Sequence, residues 1–138
     1  MQDQKFLETS RNVYYTSYLV IFSILHGYYF EIYKLSIINL FLLLSSINYW
    51  RRPIQGFRRN LDITMVSISL IYHLYYVYLY NYYQYLYLLL ISILSYIISN
   101  TLIEKKIYKL GHIFHSILHI LANINNFYLY NFINLNSN

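Results

Sequence analysis

Apolar residues along the chain come in long blocks separated by short polar breaks. The blocks run over about 13–29, 33–50, 61–80, 83–103 and 110–133. Each falls within the roughly 17–25 residues that an α-helix needs to cross the hydrocarbon of a bilayer. The breaks between them are FEIYK, WRRPIQGFRRN, a turn near Asn81, and EKKIYK. Connections this short join helices into antiparallel hairpins. The pattern predicts an all-α fold, a compact transmembrane helical bundle of about five spans. Residues 1–12 read as a polar N-terminal tail, 13–133 as the bundle, and 134–138 as a C-terminal tail. The tail expectation rests on composition, and a short interfacial helix is the other reading of residues 1–12.

Within the blocks, polar residues keep helical spacing. Thr16, Ser23 and His26 fall in the first, Ser36, Asn39 and Ser46 in the second, and Asp62, Ser69 and His73 in the third. Ser92, Ser95 and Ser99 follow in the fourth, and His112, His115, His119, Asn123 and Asn126 in the fifth. Residues three, four or seven apart share one helix face. Each span therefore carries a polar seam for its neighbours and an apolar face for lipid. The fifth block is polar for a lipid-exposed helix, so it either hides that side in protein or re-enters without crossing.

Composition agrees with a membrane setting. The 138 residues are 58% hydrophobic and 11% charged, against about 25% charged in a typical soluble domain. Three Gly and one Pro leave few turn formers, which argues against an all-β fold. The absence of Cys excludes disulfides and thiolate metal sites. Five spans put the N-terminal segment and the 51–60 and 104–109 breaks on one side. That side holds nine Lys and Arg, and the other holds Lys34 alone. The asymmetry places the N-terminus inside. A four-span form with a re-entrant last segment has nearly the same charge balance and stays open. Nine of the sixteen residues from Tyr72 to Tyr87 are Tyr, and Tyr49 and Trp50 close the second block, as interfacial aromatic belts would.

The 45–62 stretch gathers the only Pro, the only Trp and four Arg. Arg51, Arg52, Arg58 and Arg59 are expected at anionic lipid headgroups, so the basic charge points to a bilayer and not to nucleic acid. Asn60 is the expected N-cap of the third span, with Asp62 in its first turn.

All five histidines fall inside the spans, and four of them are candidates for one site. By helical rise, His26, His73, His115 and His119 reach similar depth. His115 and His119 are four apart on one face, the spacing with which two imidazoles hold one metal. His73 is the candidate third ligand, and a three-ligand zinc with an open position activates water for hydrolysis. Two histidines from different helices would alternatively hold a haem. Ser69 is a candidate nucleophile beside His73, although no carboxylate is placed to orient a His base. The other reading of all these residues is interhelical hydrogen bonding.

Two resemblances bear on this. Ser69-Leu-Ile-Tyr-His73 and His115-Ser-Ile-Leu-His119 resemble the motifs of the membrane hydrolase superfamily of alkaline ceramidases and adiponectin receptors. That likeness implies a zinc held by His73, His115 and His119, with Ser69 beside it, for the hydrolysis of lipid amides. The family has seven helices and an Asp after the first motif, for which this chain has no counterpart. A longer set resembles small membrane proteins of giant DNA viruses and microalgae. It comprises Ser46-Ile-Asn-Tyr-Trp-Arg-Arg-Pro53, Gly56-Phe-Arg-Arg-Asn-Leu-Asp62, Tyr72-His-Leu-Tyr75 and His119-Ile-Leu-Ala-Asn123. This likeness implies an integral membrane protein of a host or virion internal membrane, and no particular activity.

The sequence therefore predicts a multi-pass integral membrane protein with a structural or interaction role and a histidine cluster. The alternatives are a zinc-dependent membrane lipid hydrolase and a small subunit of a larger membrane complex, with or without haem.

Overall fold

Three of the connections are built the same way. At the ends of the second, fourth and fifth helices a single residue takes a left-handed conformation: Glu31 at φ 60°, Asn81 at 56° and Lys106 at 61°. The amide three positions past the last helical residue then reaches back to a carbonyl five residues earlier. Ile32 donates to Gly27 at 2.8 Å, Tyr82 to Val77 at 2.9 Å and Ile107 to Leu102 at 2.9 Å. These are Schellman endings, which satisfy carbonyls that a helix terminus would leave bare. Each sends the chain back beside itself, so a sequence poor in Gly and Pro still makes tight hairpins.

The computed structural model describes residues 4–137. It is all-α, with six helices among the described residues: α1 (Gln4–Ser17), α2 (Val20–Tyr29), α3 (Tyr33–Trp50), α4 (Phe57–Leu79), α5 (Tyr85–Glu104) and α6 (Tyr108–Asn136). No helix is interrupted by a strand. From Gln4 onward, the segment expected as a polar tail is helix α1, and only residues 1–3 and 138 fall outside the described chain. α1 passes into α2 through a short joint of i→i−3 bonds, Tyr18 to Tyr15 and Leu19 to Thr16. It does not turn back there. The rod of α1 and α2 runs parallel to α6, the last helix, and α3 fills the space beside it. α5 packs along α6, and α4 packs chiefly on α3.

Small residues set the closest approaches. A Cβ at Gly111 would lie 2.7 Å from Ile103 Cγ1 and 3.1 Å from the Ser99 carbonyl, so α5 and α6 meet nearly backbone to backbone. Ser92, Ser95 and Ser99 form the buried edge of α5 at that contact, and Ser95 Oγ donates to the Phe114 carbonyl at 2.8 Å. Small side chains of this kind are what allow membrane helices to approach closely.

The start of α4 differs from expectation. The helix begins at Phe57, with Gly56 as N-cap at φ 127°, a conformation that glycine takes without strain. Asn60 is thus already inside the helix and is not its cap. Asp62 is buried in the second turn, where Ser46 Oγ and Ser45 Oγ donate to its Oδ1 at 2.6 and 3.2 Å. The missed cause is Gly56, which lets the helix start one turn early. Tyr49 and Trp50 also depart from the belt expected of them. Both are buried against Val13 and Tyr14 of α1.

One further expectation needs correction. Among the described residues one helix, α5, is long and apolar enough to cross a membrane by length and composition. The expected five spans do not pass as separate helices. The first apolar block is divided between α1 and α2, and the others are diluted by Tyr, Ser, Asn and His. The multi-pass expectation accordingly reduces to a membrane-associated helical protein with one transmembrane-like helix.

Candidate functional site: the polar interior

The interior of the bundle is organised by α6. Its buried face meets the α1–α2 rod in a fixed register. Thr9 Oγ1 faces His112 Nδ1 at 2.8 Å, Thr16 Oγ1 faces His119 Nδ1 at 3.5 Å, and Asn126 Nδ2 donates to Ser23 Oγ at 3.4 Å. All three pairs are 103 residues apart in sequence. The rungs recur every seven residues on both partners, the repeat of a parallel left-handed pair. Ser23 Oγ also donates to Asn123 Oδ1 at 2.6 Å, which ties the rod to a second residue of α6.

At the far end of this seam four side chains close into a ring. Asn39 Nδ2 of α3 donates to Tyr130 Oη of α6 at 2.7 Å. Tyr130 Oη lies 2.8 Å from His73 Nε2 of α4, and His73 Nδ1 lies 2.7 Å from the Ser69 carbonyl. Ser69 Oγ donates to Asn39 Oδ1 at 3.3 Å, which completes the circuit. The hydrogen positions follow from the partners. A carbonyl only accepts, so His73 Nδ1 carries the proton, and Nε2 accepts from the Tyr130 hydroxyl. Asn39 and Tyr130 are fully buried, and His73 and Ser69 almost so. The rings of Tyr130 and Tyr85 lie nearly parallel to that of His73, at 5.8 and 6.3 Å.

This ring decides the fate of the predicted site residues. Both His73 nitrogens are engaged, so it offers no free lone pair to a metal or a haem iron. His73 Nδ1 is a donor to the backbone, so it cannot serve as the base for Ser69, whose hydroxyl is 3.4 Å away and turned to Asn39. His115 and His119 do lie together, their rings 5.2 Å apart and tilted by 69°. Each is drawn to a different helix: His115 Nδ1 faces Ser99 Oγ of α5 at 3.5 Å, and His119 faces Thr16. Among the described residues no group of three or more His, Cys, Asp or Glu is placed to hold a metal. The expected histidine cluster, with His73, His115 and His119 as zinc ligands and Ser69 beside them, is therefore corrected to separate hydrogen-bonding stations on several helices. His26 is separate again, stacked on Phe127 at 4.4 Å.

The opposite end of the seam is less complete. Thr9 Oγ1 donates to the Lys5 carbonyl at 2.8 Å, so it accepts from His112 Nδ1, and the other nitrogen of His112 is a bare acceptor. That Nε2 is buried without a partner, as are Trp50 Nε1 and Ser116 Oγ. Aromatic packing fills the space around them. Phe6 lies 4.9 Å from His112, and Trp50 lies 6.0 Å from His112 and 4.7 Å from His115.

The packing gathers the basic breaks at this same end, since Phe6 of α1 lies 5.5 Å from Tyr108 of α6 beside Trp50 of α3. Arg51 and Arg52 are exposed there, and Arg58 and Arg59 are half-buried in the first turn of α4. Sequence reasoning found the arginines and most of the seam. It missed Thr9, which lies in the expected tail, and Tyr130, to which it gives no role. The heptads Thr9, Thr16, Ser23 and His112, His119, Asn126 were the signal that would have paired the first and last helices.

No family model matches this chain, and neither curated proteins nor solved structures provide a match.

Proposed function

We propose that this chain is a membrane-embedded helical bundle with a structural or interaction role, and that its other helices sit in lipid beside α5. The observation that carries the reading is the inverted distribution of polarity. Seventeen polar or charged side chains are buried among the described residues, against eleven apolar or aromatic ones. Large apolar residues are exposed along every helix, among them Phe22, Phe41, Ile71, Leu90 and Phe127. A water-soluble bundle of this kind would present a continuous apolar surface far beyond the few hundred Å² that soluble monomers expose. In lipid the same distribution is the favourable one, because internal hydrogen bonds satisfy the polar groups and the apolar face needs no cover. Length supports it too: α6 has 29 residues, about 43 Å at 1.5 Å per residue, more than the roughly 30 Å of a hydrocarbon core.

The basic end then faces the inside, with Arg51, Arg52, Arg58 and Arg59 at anionic headgroups. The exposed Tyr75, Tyr78, Tyr83 and Tyr87 mark the opposite interface.

The test uses the absence of cysteine. Single substitutions Gln55→Cys, Asn81→Cys and Lys105→Cys are made in the full chain and labelled with an impermeant maleimide in sealed vesicles, and a separate sample is extracted with alkaline carbonate. The expected result is a chain that stays in the membrane pellet. Positions 55 and 105 should label from one side and 81 from the other. Release of the protein by carbonate, or labelling of all three from the same side, would defeat the reading.

A further inference from the structure

The two polar breaks at the basic end differ in kind. The 51–60 break holds four of the chain's five Arg and no Lys, whereas the 104–109 break holds three Lys and no Arg. Either residue serves to keep positive charge on one side of a bilayer. Arginine differs in its planar fork of donors, which meets two oxygens of a phosphate at once, while a lysine ammonium acts as a point charge.

The register of α3 against α4 brings three of these arginines together. Ser46 Oγ and Ser45 Oγ are tied to Asp62 Oδ1 at 2.6 and 3.2 Å, which fixes how the two antiparallel helices face each other. Arg51 keeps right-handed helical dihedrals and the Arg52 amide donates to the Tyr49 carbonyl at 3.1 Å, so the winding of α3 runs on to Arg52. Arg52 is seven residues past Ser45, and Arg58 and Arg59 are four and three residues before Asp62. Those intervals keep one helix face, so all three continue the faces that meet at the tie. Arg58 and Arg59 are accordingly half-buried, and Arg52 is exposed. Packed helix axes lie about 8–10 Å apart, close enough for arginines of both to reach one small group between them. The carboxylate of this face, Asp62, is bonded to the two serine hydroxyls and not to an arginine.

We infer that Arg52, Arg58 and Arg59 form a binding site for a phosphomonoester, with Arg51 at its edge. The charge of such a group, about −1.5 to −2 near neutral pH, and its three terminal oxygens match several guanidinium forks at once. A phosphodiester has a single charge and satisfies fewer of them. The phosphomonoester has two sources, a lipid headgroup of the phosphatidic acid type and a soluble phosphate ester. The headgroup source alone rests on the membrane reading.

The test is native mass spectrometry of the full chain in detergent micelles, titrated with phosphatidic acid and with phosphatidylglycerol of the same acyl chains. Phosphatidic acid is expected to bind about tenfold more tightly than phosphatidylglycerol. Combining Arg52→Lys, Arg58→Lys and Arg59→Lys keeps the charge and removes the forks, and should weaken phosphatidic acid by about tenfold. Combining Lys105→Gln and Lys109→Gln removes charge from the other break and should change it by less than about twofold. Equal affinity for the two lipids, an unchanged affinity in the arginine-to-lysine variant, or an equal loss in the glutamine variant would mean diffuse attraction and overturn the assignment. So would no binding by a protein whose circular dichroism is that of a folded helical bundle. Glycerol 3-phosphate separates the sources. Displacement of phosphatidic acid by an equal concentration of it assigns the site to a soluble ester, and its failure to displace assigns the site to a headgroup. The micelle titration does not depend on how the helices cross a bilayer, so its failure and that of the labelling experiment are distinguishable.

Discussion

The two ends of the α6 seam use the same residue types to different effect. Around His73 every polar atom of the ring has a partner, and three helices, α3, α4 and α6, are joined through it. Around His112 one imidazole nitrogen is used and the other is not, while Trp50 Nε1 and Ser116 Oγ lie buried without partners close by. Burial alone does not separate these histidines, since both are essentially inaccessible. What separates them is whether the neighbouring helices supply complementary groups. A satisfied network rigidifies a core and selects one arrangement of helices, whereas a partly satisfied one costs desolvation with little return. The closed ring is thus the lock of the fold, and the His112 end is a place where the bundle tolerates change.

The largest expected effect is at the ring. His73→Ala removes two hydrogen bonds, strands the Tyr130 hydroxyl and leaves a cavity, and should cost about 3 kcal/mol, read as a loss of thermal stability in detergent. Tyr130→Phe keeps the volume but leaves Asn39 Nδ2 and His73 Nε2 without their shared partner. A loss of about 2 kcal/mol is expected from the same melt. The smallest effect should come from His112→Leu, which gives up the Thr9 bond but also removes a buried unpaired acceptor. It should stay within about 1 kcal/mol of the parent. If His112→Leu proved as costly as His73→Ala, the distinction between the two ends would collapse.

Much of the fold was legible because helical blocks and hairpin breaks are local. The polar faces of α3, α5 and α6 fall where their spacing placed them. The assignment of partners was not legible to the same degree. Spacing tells which side chains share a face of one helix, but the register between helices is set by packing of small residues such as Gly111 and Ser99. That is why His73 was grouped with His115 and His119 when its real partners are Asn39 and Tyr130. Asn60 was chosen as the cap on residue preference, and Gly56 overrode it by taking a backbone conformation that lets the helix begin earlier. Tyr49 and Trp50 are expected at an interface because they close the second apolar block. Val13 and Tyr14 of α1 cover them instead.

The constant register between the first and last helices sets an order of assembly. During synthesis Thr9, Thr16 and Ser23 emerge about a hundred residues before the groups that satisfy them. Until α6 is made, the earlier helices hold their hairpins through local turns while one polar edge stays unmatched. Non-local contacts of this kind form late, because chain closure must precede them. The last helix is therefore the closing piece: a ribosome that stops before Tyr108 releases a chain whose turns are formed and whose interior is still waiting for its axis.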